Sequence, residues 1–337
     1  MNQRCKWIVT LALLSGAMQC GCARREEPSN RVVLYCSVDQ AIAEAIIADY
    51  EGRTGQRVLV RFDTEASKTV GLVQRLRAEQ SRPRADVFWS SEVFYTIRLA
   101  REGLFQSYHC DLTEGWPAAY ADADGLWYGF GLRARSIAYN TRRVPVDRAP
   151  RSLEALLDEQ WRGRIVMARP EFGTTGGDVA SWFAHYGAER ATEILKSMQA
   201  NGLRLVSGNS TAVRQVAYGL ADICLTDTDD VYAAQRNGWP VAHFPLDQSG
   251  RGALAIPNTV ALVKGGPHPQ AARQLMAYLL SHPVEEQLWA SDSHNCSIRT
   301  SAEACGAYHI GKTLPIPYAE IADHLAEAIQ GATEIFH

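Results

Sequence analysis

The sequence predicts an α/β protein of two lobes, each a mixed sheet flanked by helices. Three observations lead to this prediction. Short apolar runs alternate with amphipathic helical patterns along residues 31–103, and this alternation is typical of a sheet covered by helices. A second alternating set begins near residue 152. Two segments, 125–141 and 253–263, would run as extended chain between the sets, so we expect two hinge crossings beside a cleft.

The first lobe contains three strand and helix units in succession. Its first helix has the clearest ends, because Asp39 could cap the first turn and Gly55 could end the last. The strands are predicted at 31–37, 57–63 and 85–90, and the helices at 39–55, 68–80 and 93–103. Ligands of such sheets bind where the strands end, so the residues that follow each strand are candidate site residues.

The second lobe and the return to the first follow the same pattern. Helices are predicted at 152–163, 174–187, 190–202 and 211–219, and strands at 164–170, from 203 and from 221. After the return crossing, helices are predicted at 268–282, 284–292 and 317–332. These assignments divide the chain into a first part of lobe 1 at 31–131, lobe 2 at 132–254, and the return crossing, the completion of lobe 1 and the C-terminal helices at 255–337.

The N-terminus has the order of an export signal. Arg4 and Lys6 precede the apolar stretch 7–17, which is too short to span a bilayer as a stable helix. Gly21-Cys22 then resembles a bacterial lipobox, although Gln19 stands where leucine is usual. We therefore predict a signal peptide at 1–21, acylation of Cys22 and a polar tether at 22–30, with free secretion as the alternative.

Composition excludes several function classes. The chain has 337 residues, 46% of them hydrophobic, and a formal net charge of −3, so no basic excess suggests nucleic acid. No second long apolar run suggests a membrane span, and contact with the membrane is expected through the anchor alone. The motifs GxSxG and HExxH are absent, so we expect no enzyme. We expect a monomer.

The cysteines indicate one disulfide. Cys36 and Cys224 lie inside apolar runs and are expected as buried thiols. Cys296 and Cys305 flank a loop that contains Ser and Thr, and in an exported protein they are the best candidates for a bridge.

The run ADICLTDTDDVY contains three carboxylates within four residues. Asp227, Asp229 and Asp230 repel one another unless a cation, N–H donors or water offset their charge. Two interpretations stay open at this point. The aspartates could cap the helix that starts here and interact with its dipole, or they could bind a cation. Tyr232 follows as a packing, rim or ligand-contact residue.

Further candidates lie on other loops that should face the cleft. Asp39 follows the first strand, whereas Ser91 and Glu92 follow the third. Asp39 and Glu92 could equally act in the first turns of their helices. Ser67 lies in a turn before a helix, and Arg133 on the crossing could pair with a carboxylate or an anion.

Two segments suggest an anion site. Thr174, Thr175 and Gly176 lie in FGTTGGDV at a helix start, where hydroxyls and free N–H groups suit an anion. SGNS, which ends at Ser210, precedes another helix. Plain helix capping is the alternative, and the spacing is not that of a nucleotide-binding motif.

The order of these segments resembles the solute-binding proteins of ABC importers, with the type II periplasmic-binding fold. The resemblance extends over nearly the whole mature chain. Its segments are VVLYCSVDQAIAEAIIADYEGRTG, ADVFWSSEVFYTIRLAREGLF, YGFGLRARSIAYNT, FGTTGGDV, LTDTDD, IPNTVALV and AARQLMAYLLSHPVEEQLW. It implies a binding protein that closes two lobes around a ligand and works with permease and ATPase subunits.

Within that family the sequence looks most like the ferric-ion-binding branch. There, a Tyr pair occupies the turn where this chain has Asp229 and Asp230. The resemblance implies Fe³⁺, or a divalent cation, held by Asp39, Glu92, Asp229 and Asp230, with carbonate or phosphate beside it. Carboxylates in place of phenolates keep hard oxygen donors but leave the metal open. The alternatives are a small organic ion (a phosphonate, a sulfonate or a polyamine) or a ligand-sensing role for a receptor.

Cys22→Ser tests the anchor. If Cys22 is acylated, the variant should be released from membranes with its fold unchanged. Membrane fractionation and mass spectrometry of the wild type check this expectation. A variant that stays in the membrane fraction, together with a wild type that carries no lipid, would contradict it.

Overall fold

The computed structural model describes residues 30–63, 69–299 and 310–337. The predicted signal peptide, Cys22, Ser67 and Cys305 lie outside the described residues. The strands are β1 (Arg31–Cys36), β2 (Arg57–Phe62), β3 (Val87–Ser90), β4 (Phe105–Gln106), β5 (Tyr128–Asn140), β6 (Ile165–Ala168), β7 (Arg204–Val206), β8 (Ile223–Asp227), β9 (Val241–Pro245) and β10 (Ala255–Val263).

The α-helices follow the predicted order. They are α1 (Gln40–Thr54), α2 (Val70–Ala78), α3 (Phe94–Arg101), α4 (Leu153–Leu156), α5 (Gly173–Tyr186), α6 (Ala188–Ala200), α7 (Asn209–Ala217), α8 (Thr228–Arg236), α9 (Pro269–Leu279), α10 (His282–Ala290) and α11 (Tyr318–Phe336). None of these helices, nor any other helix of the described residues, is long and apolar enough to cross a membrane.

One strand belongs to both halves of the sheet. The strands run in the order β2-β1-β3-β10-β5-β8-β6-β7, with β4 beside β10 and β9 beside β5. The first part of β5 pairs with β10, whereas the part from Arg135 to Asn140 pairs with β8 and β9. β5 is therefore a crossing between two α/β lobes, and the predicted fold class is confirmed.

The second crossing precedes β10. Ala255, the first residue of β10, lies opposite Ala134 of β5, and β10 then pairs only with strands of lobe 1. The chain therefore returns in residues 246–254, a turn followed by extended chain. The expected extended return over 253–263 is for the most part a strand of lobe 1.

Three elements differ from the sequence prediction. The predicted helix at 152–163 is shorter, because α4 ends at Leu156 and only a 3₁₀ turn follows at Glu159–Trp161. Ser152 begins α4 by accepting a hydrogen bond from the backbone N–H of Ala155, the usual arrangement of an N-cap. β4 and β9 were not predicted. β9 contains His243 and ends in Pro245, so its sequence lacks the apolar alternation of a strand.

The C-terminal helix and one glycine hold the lobes together. α11 packs against α3 of lobe 1 and against α5 and α6 of lobe 2. Phe94 of α3 is fully buried, and its ring touches the backbone of α5 at Gly177. A Cβ atom at Gly177 would lie 2.1 Å from this ring, so only glycine fits at this contact.

Gly177→Ala should destabilise the fold by about 1–3 kcal/mol, because a buried ring has no room to move aside. Gly52→Ala is the matched control, since Gly52 also lies in a helix but a Cβ there meets nothing within 4 Å. The control should be neutral or more stable by about 0.5–1 kcal/mol. Urea unfolding of the three proteins measures the difference. Equal stability of the two variants would show that the lobes do not pack closely at Gly177.

Candidate functional site

A cleft lies between the lobes. It opens where β1 and β3 end in lobe 1 and where β6 and β8 end in lobe 2. The residues that line it are Val38, Asp39, Ile42, Ser91, Arg133, Ala168, Phe172, Gly173, Thr174, Thr175, Ser207, Gly208, Asn209, Asp227, Asp229, Asp230, Asn258, Leu288, Ser293 and Asn295.

The acidic turn forms one side of this cleft. Oxygen atoms of Asp227, Asp229 and Asp230 lie within 4.8 Å of one another. Asp227 ends β8, and the other two aspartates lie in the first turn of α8, where the positive end of the helix dipole favours negative charge. Asp229 accepts a hydrogen bond from the backbone N–H of Asp230 at 3.0 Å. The cluster therefore lies where the helix dipole favours negative charge and also faces the cleft.

Arg133 is the cation that faces the cluster. Its Nε lies 3.4 Å from Asp227 and 3.3 Å from Asp229, and its side chain is 5% exposed. The guanidinium also donates to the carbonyl oxygens of Ser91 and Ile256. Burial acts to lower the pKa of Arg133, but the nearby carboxylates, Asp229 first, raise it above its ordinary value, so Arg133 is charged.

A second buried arginine holds Asp227 in place. Arg135 lies 2.9 Å from Asp178 of α5 and 2.7 Å from Asp227, and both carboxylates are buried. Asp227 also accepts hydrogen bonds from Thr174 at 2.6 Å and from Asn209 at 3.1 Å. Burial acts to raise the pKa of Asp227, but Arg135 and then Arg133 hold it below its ordinary value. Asp227 is therefore ionised and bound to protein donors.

The starts of α5 and α7 form the other side of the cleft in lobe 2. Gly173, Thr174 and Thr175 begin α5, and Ser207 and Gly208 precede α7. Within the described part of the chain, neither helix has a side-chain hydrogen bond at its N-cap. The N–H groups of a helix's first turn have no partner within the helix, so two adjacent helix starts suit an anion.

The structure brings eight of the predicted site residues together. They are Asp39, Ser91, Arg133, Thr174, Thr175, Asp227, Asp229 and Asp230. The cleft also contains Asn209, Asn258 and Asn295, which the sequence did not indicate as binders. Asn209 lies inside the SGNS segment, so that motif pointed to the correct loop. Nothing in the local sequence distinguishes Asn258 or Asn295.

Glu92 lies elsewhere. Its carboxylate accepts hydrogen bonds from the backbone N–H groups of Phe94 and Tyr95, and from Ser90. It is 1% exposed and does not line the cleft. The predicted metal ligand is thus a helix cap in this structure, because the backbone of α3 supplies its donors.

Three other predicted ligand residues also lie outside the cleft lining. A Cβ at Gly176 would lie 2.5 Å from the carbonyl oxygen of Pro170, so this glycine permits close packing of the chain. Ser210 is exposed in the first turn of α7. Tyr232 is buried, and its ring packs edge-on against His243 and His294.

The disulfide prediction is met in part. Cys296 is disulfide-bonded, whereas Cys36, Cys110 and Cys224 form no disulfide. The disulfide partner of Cys296 therefore lies outside the described residues, and the pairing of Cys296 with Cys305 stays a prediction. The backbone of Cys296 also forms an antiparallel β-bridge with Leu132 of β5. This backbone pairing places the adjacent Asn295 at the cleft.

Comparison with known proteins gives three findings. A family model described as bacterial extracellular solute-binding protein matches residues 32–289. Iron uptake protein A1 of Synechocystis is 27% identical over 262 residues, which cover 75% of this chain and 71% of that protein. The putative 2-aminoethylphosphonate-binding periplasmic protein of Salmonella typhi is 26% identical over 240 residues, 66% of this chain and 69% of that protein.

The fold is also similar to that of a solved structure. The crystal structure of iron-bound HitA from Pseudomonas aeruginosa superposes with a TM-score of 0.78. The match covers 90% of this chain and 99% of that chain at 23% identity. At this identity the similarity shows a shared fold.

Glu92→Gln tests whether burial raises the pKa of Glu92. Burial raises the pKa of Glu92 to about 7 from 4.5. A folded pKa above the unfolded one means that the folded protein retains a proton which the unfolded chain releases, so the free energy of unfolding falls as the pH rises from 4.5 to 7, by on the order of 3 kcal/mol. Glutamine keeps an acceptor oxygen and cannot ionise, so the variant should lose this part of the pH dependence.

Urea midpoints of the wild type and the variant at several pH values measure the difference. Glu189→Gln, at an exposed first-turn position of α6, should reproduce the wild-type profile. A Glu92→Gln profile parallel to that of the wild type would mean that folding does not raise the pKa of Glu92.

Proposed function

Because the chain belongs to the family of bacterial extracellular solute-binding proteins, we propose that it is the binding protein of an ABC importer that captures a hard metal cation, ferric iron first. The cation would enter the cleft between the lobes with a companion anion such as carbonate or phosphate. Permease and ATPase subunits would receive it. The protein would be exported, anchored through Cys22 and monomeric.

The charge of the cleft is the observation that carries this proposal. Asp39, Asp227, Asp229 and Asp230 line it, and Arg133 is the one Lys or Arg side chain among its described lining residues. Clustered carboxylates are stabilised most by a multivalent cation, and hard oxygens prefer hard ions. The names of an iron uptake protein and of iron-bound HitA among the similar proteins favour iron.

We assign the metal to Asp39, Asp229 and Asp230. Asp229 and Asp230 are partly exposed in the cleft, and Asp39 faces them from lobe 1, so closure of the lobes would complete the set. Glu92 would join only by leaving the start of α3. The anion would bind at the N-termini of α5 and α7, beside Thr174, Thr175 and Asn209.

A small zwitterion is the second candidate. Arg133 already supplies one positive charge next to Asp229, and this leaves less negative charge for a trivalent ion. An amine could bind the aspartates while a phosphonate binds at the helix starts. The similarity to a putative 2-aminoethylphosphonate-binding protein favours this class over a sulfonate or a polyamine. A ligand-sensing role would use the same cleft.

Asp229→Asn with Asp230→Asn should abolish metal binding. Both carboxylates would lose their charge, whereas the apo protein should melt at the same or a higher temperature because repulsion within the cluster is relieved. Thermal shift titrations with ferric citrate, manganese and zinc, with and without bicarbonate, measure both effects.

The control removes the same amount of negative charge outside the cleft. Glu189→Gln with Glu193→Gln removes two exposed carboxylates from α6 and should leave the metal response unchanged. A wild type that is stabilised by 2-aminoethylphosphonate but by none of the metals would replace the metal with the zwitterion. A double Asn variant that still responds fully to metal would place the site elsewhere.

A further inference from the structure

We propose that Arg133 is a built-in counter-ion of the cleft and a latch between the lobes, which a cationic ligand must displace from Asp229 in order to bind. The displacement step rests on the proposed capture of a cation. The latch itself rests only on the contacts of Arg133.

The acidic cluster explains why a counter-ion is needed. Three carboxylates with oxygens within 4.8 Å of one another repel strongly where little water can screen them. Arg133 lies within 4 Å of two of them, Asp227 and Asp229. In the ligand-free cleft, its guanidinium thus supplies the charge that a bound cation would supply.

The two arginines of β5 have different roles. Arg133 and Arg135 are two residues apart on one strand, so their side chains point to the same face. Arg135 makes its ion pairs within lobe 2, with Asp178 and Asp227. Its short contacts connect α5 to the end of β8 within this lobe.

Arg133 instead connects the lobes. Its backbone pairs with Ile256 in the lobe 1 half of the sheet, and its guanidinium donates to the carbonyl oxygen of Ser91 after β3. The same guanidinium reaches across to Asp227 and Asp229 of lobe 2. Opening of the lobes must therefore stretch or break one set of these contacts.

The ion pair with Asp229 is the one that can be released. Its 3.3 Å separation exceeds the 2.7 and 2.9 Å of the Arg135 pairs, and charge-assisted bonds of full strength measure about 2.7–2.9 Å. The Asp229 side chain is also 20% exposed, whereas that of Asp227 is 3% exposed. A cation that binds Asp229 would repel Arg133, and Asp227 would keep Arg135 as its partner.

Displacement sets a threshold on the charge of the ligand. A singly charged ligand only replaces the interaction that Arg133 already makes, whereas a multivalent cation gains more than Arg133 loses. Arg133 thus acts as a specificity-determining residue that excludes weak cations.

Arg133→Gln tests the displacement. Isothermal titration with chelator-free manganese and zinc should show at least about tenfold tighter binding to this variant than to the wild type. Arg133→Lys restores the positive charge and should reverse most of the gain in metal affinity. If the guanidinium had a purely structural role, lysine would not reverse this gain. Arg143→Gln is the control, because Arg143 pairs with the buried Asp222 outside the cleft lining, and its metal affinity should equal that of the wild type.

Small-angle scattering of the metal-free proteins tests the latch separately. Arg133→Gln should have a larger radius of gyration than the wild type, and Arg133→Lys an intermediate one. Unchanged scattering of Arg133→Gln would overturn the latch. Two results would overturn displacement. One is weaker binding of manganese and zinc to Arg133→Gln than to the wild type, and the other is a loss of affinity for ferric citrate alone. Either result would mean that Arg133 contacts the ligand or its anion.

Absence of metal binding in both the wild type and Arg133→Gln would refute the proposed metal cargo and, with it, the displacement step. The scattering result would still decide the latch. The two proposals can therefore fail independently.

Discussion

The buried pairs that Arg135 makes with Asp178 and Asp227 organise the second lobe and the cleft. Three charged side chains without access to water are stable only when each has close partners, and removal of one partner from such a pair typically costs about 3–5 kcal/mol. Asp227 has four such donors, Arg133, Arg135, Thr174 and Asn209. These contacts bring the starts of α5, α7 and α8 to one point, and the cleft is formed around that point.

This constraint also explains how the protein itself offsets part of the negative charge of the cleft. Asp227 belongs to the protein's own ion pairs, so the carboxylates that remain accessible are those of Asp229, Asp230 and Asp39. Arg133 then balances part of their charge. The three accessible carboxylates outnumber the one arginine among the described lining residues, so the cleft carries an excess of negative charge.

The connection between the lobes depends on a few specific contacts. β5 runs unbroken through both halves of the sheet, α11 packs on helices of both lobes, and Phe94 touches α5 at Gly177. Extended crossings bend at little cost, whereas packed helices and a buried ring resist movement. Changes at the hinge are therefore expected to involve β5 and residues 246–254 more than the helices.

The sequence alone determined the order of strands and helices, and with it the loops that face the cleft. Periodicity and helix-end signals depend on neighbouring residues, so Asp39, Ser91, Thr174 and Asp227 could be placed correctly at the ends of strands or the starts of helices.

Only the tertiary structure decided which polar groups those residues contact. Glu92 and Asp39 look alike in the sequence, since each lies near the first turn of a helix after a strand. The backbone N–H groups at the start of α3 donate to Glu92, whereas Asp39 lines the cleft. The partners of Arg133 are 94 residues away at Asp227 and 42 residues away at Ser91. Local sequence cannot encode such pairs, because folding brings these residues together across the hinge.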